Sequence, residues 1–508
     1  MLRKLFAAKV NHALADPKEL RRVLAGLPAD NAFKSLDALA GWLESLQGCK
    51  DYPLDALFDV VRQLDEAAQP HLRHLARDYL NSPRLSKTEE KRLWTIVHGF
   101  WSLLAGIYEQ ILQQAARLGA QDKALAILPL LTVRLLLALG AMLKWQQFRY
   151  GPIPGEIWLR LGRAYLSAEV SGFSSRTLQL YPNQPGMTSP SQEYLKALVF
   201  HASALDCLLP QEIEIAERLI GHLLPGFLFT TASRPDSVYW VDPAKPMPPV
   251  RLAQLPEDLS STLRFFQPGA AQESLLALIR RIENGGEMLI EFNLGAQYPT
   301  ELVLAVMRHL AGNWAPIPPQ RAHRRYRVKH RLAVLPGFSS AQQVFQPAIP
   351  HQPAGSRAES WVVSNVSRGG LGARIPEIQG DWLKVGALIA GQPEGGENWL
   401  LALVRRLQRE SEQEARVGIM VIGRQVASVE LRRETASSVA AATGVPALLI
   451  FDGNEADELR AVLPKGSYDP KERLYLHRDG RHSELTPLAR LGGGSDYELV
   501  KFRETPVL

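Results

Sequence analysis

Cysteine is nearly absent: Cys49 and Cys207 are the two in 508 residues, far apart and outside any CxxC or Cys/His cluster. Neither a disulfide framework nor a zinc site is expected, and a reducing cytoplasm suits the chain best. The N-terminus begins with basic residues but has no continuous apolar stretch, because Asn11, His12, Asp16 and Lys18 interrupt it, so export is not expected. Long apolar runs are equally scarce. Ala124 to Leu143 approaches the length of a membrane span, yet it contains Pro129 and, near its centre, Arg134. A charge there costs several kcal/mol in lipid, so a buried bundle helix is expected and no membrane span. No Walker loop, HExxH or Gly-x-Ser-x-Gly elbow occurs, and the histidines are scattered. No catalytic residue and no metal ligand is assigned.

The formal charge of +6 has a location. Residues 321–331 contain six Lys/Arg and no acid, and without those six, 52 basic residues stand against 52 acidic ones. A general nucleic-acid-binding surface is thereby disfavoured against one focused anion site. A nucleic-acid polymer is accordingly not expected as a partner.

At 508 residues the chain exceeds the roughly 250–300 residues at which a single core stops growing. Residues 1–232 show helical periodicity, as at Leu54, Leu57, Phe58, Val61 and Leu64. An α-helical domain of eight to ten helices follows from it. Within it, Trp158-Leu-Arg-Leu161-Gly162-Arg-Ala-Tyr165 has the large-and-small pattern that opens a tetratricopeptide helix, in one copy without a 34-residue repeat. It reads either as an ordinary helix with one close contact or as part of a protein-binding surface. Residues 233–315 form a mixed extension, in which Pro243, Pro246, Pro248 and Pro249 stop any helix or central strand and favour a surface excursion or hairpin. Residues 316–320 are a Pro-rich linker.

Beyond it the period becomes two. Tyr326, Val328, His330, Leu332 and Val334 are expected on one face, with Arg325, Arg327, Lys329, Arg331 and Ala333 on the other. Strand-like runs follow at 361–366, 371–375, 385–390, 399–407 and 415–422, which argues for a small barrel over 321–435. Residues 446–508 are again β-rich, either a second module or an extension of the barrel.

Two elements here can make an anion and purine site. Arg321 and Arg325, with Arg324 and Arg327 offering other registers, stand where linker meets strand, and guanidinium forks pair with phosphate oxygens and with the O6/N7 edge of guanine. Asn365-Val-Ser367-Arg368-Gly369-Gly370 ends a strand in a tight turn, where short polar side chains and glycines let backbone approach a ligand. Over residues 318–430 the chain resembles the PilZ family, whose signature is Arg-x-x-x-Arg followed by Asp/Asn-x-Ser-x-x-Gly; Arg416 to Gly423 resembles the family's closing strand. The forty residues from Arg325 to Asn365 are a long spacing and imply an inserted loop at 341–360.

The resemblance implies a six-stranded antiparallel β-barrel; with the helical periodicity before it and the β-rich runs after it, a multidomain α+β protein is expected, with a large N-terminal α-helical domain, the barrel and a small β-rich C-terminal module. It implies cyclic di-GMP as ligand, bound by Arg321, Arg324, Arg325, Asn365, Ser367, Arg368, Gly369 and Gly370, with no cofactor. The sequence itself has no motif of an enzyme that makes or degrades that nucleotide. The function expected is a non-enzymatic second-messenger receptor whose helical domain meets a protein partner. Bacterial receptors of this type are associated with motility, biofilm control and virulence. The alternative is a ligand-independent interaction scaffold with a structural barrel.

Overall fold

The computed structural model describes residues 11–49, 52–81, 85–118, 122–182, 186–253, 260–286, 298–317, 323–346, 358–433, 444–453, 455, 457–478 and 480–507. The chain divides into two compact units, residues 1–149 with 153–320 and residues 150–152 with 321–508.

The first unit is built from helices α1 (Pro17–Ala25), α2 (Ala32–Leu46), α3 (Leu54–Asn81), α4 (Lys87–Leu118), α5 (Asp122–Phe148) and α6 (Gly155–Val170). A two-stranded ribbon, β1 (Leu178–Gln179) and β2 (Met187–Thr188), precedes α7 (Pro190–Ala202) and α8 (Pro210–Leu223). The starts are written in the sequence: Asp16, Asn31 and Ser189 each accept a hydrogen bond from a first-turn N–H, and Pro17 and Pro190 occupy positions that need no donor. A four-stranded sheet of β3 (Leu228–Thr230), β4 (Tyr239–Val241), β5 (Val250–Arg251) and β6 (Arg264–Gln267) has the order β3-β6-β4-β5. The helices α9 (Ala270–Glu283) and α10 (Thr300–Trp314) complete the unit.

Arg134 explains why α5 can be so apolar. Its side chain is 1% exposed and donates to Asp65 Oδ2 at 3.0 Å, to Glu66 Oε1 at 2.7 Å and to the Leu180 carbonyl at 2.9 Å, with the guanidinium 4.7 Å from the Tyr181 ring centroid. Asp65 is itself buried and also accepts from the Tyr108 and Tyr181 hydroxyls. Burial pushes the Asp65 carboxyl up, and although Arg134 and these hydrogen bonds pull it down the net direction is upward. Among the described residues one helix, over Ala126–Phe148, is long and apolar enough to cross a membrane. In the fold it packs against α3, α4, α6, α7 and α8.

Gly162 serves the Pro-rich segment instead of a neighbouring helix. A Cβ at Gly162 would lie 1.9 Å from the Pro243 carbonyl oxygen, and one at Gly155 2.7 Å from that of Pro246. These two glycines, two turns apart on α6, admit the backbone of residues 243–246. The Trp158, Leu161 and Tyr165 side chains are buried in the helical core.

The second unit holds β7 (Tyr326–Pro336), α11 (Gly337–Val344), β8 (Glu359–Ser367), β9 (Gly370–Ile375), β10 (Leu388–Pro393), β11 (Leu400–Arg409) and β12 (Ala415–Gly423). After them come β13 (Val426–Arg433), β14 (Val445–Ile450), β15 (Glu458–Pro464), β16 (Leu474–Arg478), β17 (Arg481–Gly493) and β18 (Tyr497–Val507). They close two six-stranded barrels, β10-β11-β12-β9-β8-β7 and β13-β14-β15-β18-β17-β16, with all pairings antiparallel. Counted from its own first strand, each barrel has the same neighbours, 1-2-3-6-5-4. The β-rich C-terminal module is thus a second closed barrel of the same topology. Its first strand, β13, directly follows the closing strand β12.

The barrels share a seam. Leu335, Leu388 and Leu401 of the first, Phe338 of α11, and Leu448, Val462 and Tyr497 of the second form one apolar cluster. Around it Asp496 Oδ2 accepts the Phe338 N–H at 2.7 Å, and the Tyr497 hydroxyl donates to the Gly386 carbonyl at 2.9 Å. Inside the first barrel the indoles of Trp361 and Trp382 stack at 5.9 Å, and both donate to the buried Glu359 carboxylate, at 2.9 and 2.7 Å. The stacked pair hides that charge and supplies its donors.

One sequence expectation is corrected. Leu332 and Val334 do face the core, but Tyr326 is 59% exposed and His330 is also exposed. A β-bulge lies between these two positions: Arg327 pairs with Asn365 while His330 pairs with Val363, so β7 carries one extra residue there, although Val328 still packs against the barrel core.

Candidate functional site

The barrel topology brings the arginine segment and the Asn-Ser-Gly turn side by side. In the register of β7 and β8, Tyr326 faces Val366 and Arg327 faces Asn365. Arg325 immediately precedes this pair, and Arg324 and Arg325 are exposed. The Arg324 guanidinium stands 5.7 Å from the Tyr326 ring centroid. Arg321 lies outside the described residues.

The turn is a two-residue hairpin. Ser367 pairs with Gly370 across Arg368 and Gly369, and Ser367 Oγ donates to the Gly370 carbonyl at 3.0 Å. Backbone bonds hold it to the rest of the unit: the Gly369 carbonyl accepts the Val421 N–H at 3.1 Å, and the Arg368 carbonyl accepts from the Arg424 guanidinium at 2.7 Å. Arg424 and Gln425 in turn donate their backbone N–H groups to Asp452 Oδ1, at 2.9 and 3.0 Å. Asp452 follows β14, so the β8–β9 turn and its topological equivalent in the second barrel grip the same connector.

Two glycines have specific steric reasons. A Cβ at Gly370 would lie 2.1 Å from the Ile419 carbonyl oxygen, where β9 passes β12. At Gly372 it would lie 2.7 Å from Asn365 Nδ2, so the missing side chain makes room for the Asn365 amide. That amide donates to Ser364 Oγ at 3.2 Å, while its Oδ1 is buried and has no partner among the described residues. An orphan buried acceptor costs roughly 1–3 kcal/mol. Among the described residues it is the buried side-chain atom of the turn that lacks a partner.

Of the residues expected to bind a ligand, Arg324, Arg325, Asn365, Ser367, Arg368, Gly369 and Gly370 therefore fall together at the start of β7 and the β8–β9 hairpin. Ser367 and Gly370 are committed to the hairpin itself. Sequence reasoning missed three neighbours: Tyr326, which is exposed beside the bulge; His323, whose ring lies 3.3 Å from where a Gly369 Cβ would be; and Arg424, which tethers the turn from 56 residues away. The bulge has no signal in a regular alternation, and Arg424 is distant in sequence. Chemically the region offers guanidinium groups for an anion, an exposed aromatic ring beside one of them, and an inward amide acceptor for an N–H donor.

The chain thus combines a helical unit with a tandem of six-stranded barrels, one of which carries a basic, aromatic hairpin surface. Residues 18–233, from α1 to β3, match the sequence family described as the N-terminal domain of the cyclic-di-GMP receptor FimW. The cyclic-di-GMP receptor FimW of Pseudomonas aeruginosa is 23% identical over 334 residues, which cover 64% of this chain and 53% of that protein. The chain spans about half the length of that curated relative.

Proposed function

We propose that this protein is a non-enzymatic cyclic di-GMP receptor of PilZ type. The β7 start and the β8–β9 hairpin form the site, and Arg321, Arg324, Arg325 and Arg368 contact phosphates and guanine edges. The single observation that carries the reading is the register of Arg327 with Asn365, which sets the arginine segment beside an amide whose buried Oδ1 lacks a donor. Guanine N1–H and N2–H₂ are donors of the kind that oxygen lacks. Tyr326 offers a face on which a purine can stack. The family match over residues 18–233 and the similarity to a protein named as a cyclic-di-GMP receptor support the ligand.

The helical unit is the output part in this reading. Pro316, Pro318 and Pro319 directly precede Arg321 in sequence, so a ligand that orders the arginines restrains the linker and shifts the population of linker conformations. Calorimetric titration of the full chain with cyclic di-GMP tests the assignment. Saturable binding that Arg321→Ala/Arg325→Ala abolishes is expected; unchanged binding in that variant rejects it.

A second reading has its own support. Ser367 and Gly370 have structural duties, and the family match falls on the helices, as expected of a ligand-independent scaffold that works through its helical unit. Asn365→Ala/Ser367→Ala in cells separates the two: wild-type behaviour favours the scaffold, a deletion-like phenotype the receptor.

A further inference from the structure

We propose that the helical unit contains a second ligand site, for a small amphipathic anion with an apolar body and one acidic group, in a cavity among α3, α4, α5, α7 and α8. The cavity has a volume of about 430 Å³, within the range of roughly 300–1,000 Å³ typical of small-molecule sites. Close-packed interiors leave few voids larger than a water molecule.

Its walls are of two kinds. On one side Leu72, Val97, Trp101, Leu137 and Phe200 present an apolar and aromatic surface. On the other runs an ion chain, Lys196–Glu217–Lys144–Glu214–Arg218: Lys144 Nζ lies 3.0 Å from Glu214 and 3.6 Å from Glu217, Arg218 Nε lies 2.8 Å from Glu214, and Lys196 pairs with Glu217. Burial alone pushes the Glu217 carboxyl up, but the charges of Lys144 and Lys196 outweigh it and hold the group well below the usual carboxylate range. Along this chain three basic residues alternate with two acidic ones.

The remaining charged lining residues are Glu193 and, on the exposed face of α3, Arg73 and Arg77, one helical turn apart. The lining as a whole carries two more cations than anions. Lys144, Lys196 and Arg218 are matched in number by Glu193, Glu214 and Glu217, so the excess is the exposed Arg73–Arg77 pair, with which an acidic group of the guest can pair.

Gly140 supplies an independent sign that the space is kept open. It lines the cavity in the middle of α5, where glycine costs roughly 0.5–1 kcal/mol relative to alanine. Yet a Cβ there would meet nothing within 4 Å. No close backbone approach demands this glycine, in contrast to Gly162.

The test uses the full chain and 8-anilinonaphthalene-1-sulfonate, an anion with a flat apolar body, followed by fluorescence and calorimetry. One saturable site is expected. Gly140→Phe, which fills the void, lowers the affinity at least tenfold while thermal unfolding and cyclic di-GMP titration remain as in the parent chain. Arg73→Gln/Arg77→Gln, on an exposed helix face, weakens the sulfonate at least tenfold and leaves uncharged N-phenyl-1-naphthylamine unaffected. Absence of saturable binding to the parent chain overturns the proposal. So does parental affinity for the sulfonate in the arginine variant or in folded Gly140→Phe protein. None of these outcomes bears on the barrel site, which the cyclic di-GMP titration reads separately.

Discussion

Gly370 and Ile419 meet so closely that any side chain at 370 would collide with backbone: a Cβ would stand 2.1 Å from the Ile419 carbonyl oxygen. The last glycine of the hairpin motif thus serves the β9–β12 contact. Gly370→Ala is expected to destabilise the protein by about 1–3 kcal/mol, since neither strand can yield without disturbing the barrel. Gly492→Ala, where nothing lies within 4 Å, should change little. Denaturant unfolding of both variants without ligand checks this.

Asn365→Ala should behave in the opposite way. Removing an amide whose Oδ1 is buried and unpartnered sacrifices no hydrogen bond at that atom, so folding stability should stay within about 1 kcal/mol of the parent. Cyclic di-GMP affinity should fall at least about tenfold, or about 1.4 kcal/mol. Titration and thermal unfolding on the same preparation separate the two effects.

Arg424 acts on the site through the Arg368 carbonyl that it holds. Arg424→Met is expected to weaken cyclic di-GMP binding by about three- to tenfold, as one charged hydrogen bond to the turn is lost. Arg424→Lys, which keeps a donor, should recover part of it. The ordering of the three affinities is the readout.

Arg134→Met is a severe change of another kind. It leaves Asp65 buried without its cation, and about 3–5 kcal/mol of stability should be lost. Asp65→Asn/Arg134→Met should recover much of that loss. Urea unfolding of the single and double variants measures the coupling.

His201 sets an acid limit on the helical unit. Burial lowers its imidazole to about 4, and its ring meets Trp158 edge to face at 4.9 Å. The unfolded chain binds the proton near pH 6.5 and the folded chain does not. The stability linked to this group is therefore complete above about pH 6.5, declines as the pH falls, and levels off below about 4. His201→Phe should flatten that slope in unfolding curves measured from pH 7 to pH 4.

Much of this architecture was legible in the sequence because it rests on short-range rules. The helices of the first unit follow from periodicity and from caps such as Asp16 and Asn31, and the strands β8, β9, β11 and β12 from compact apolar runs. What escaped depends on partners distant in sequence. β17, which contains Pro487 and Gly492, has no regular apolar run, and it pairs along its length through register shifts at Pro487/Ala489 and Arg490/Gly492. The bulge beside Tyr326 depends on the β7–β8 register, and Gly162 on a Pro243 carbonyl eighty-one positions away. At the site, the juxtaposition of Arg327 with Asn365 needed the β7–β8 register, while the glycines and the basic segment were visible without it.

The circular strand order of the two barrels also restricts how the second unit can be read by other proteins. Among the described residues every strand of the two barrels is flanked by a neighbour on each side, so these strands offer no edge onto which a foreign strand could add. A partner must recognise them by side chains and loops. Charge and shape at the rim are therefore the terms in which such recognition is expressed.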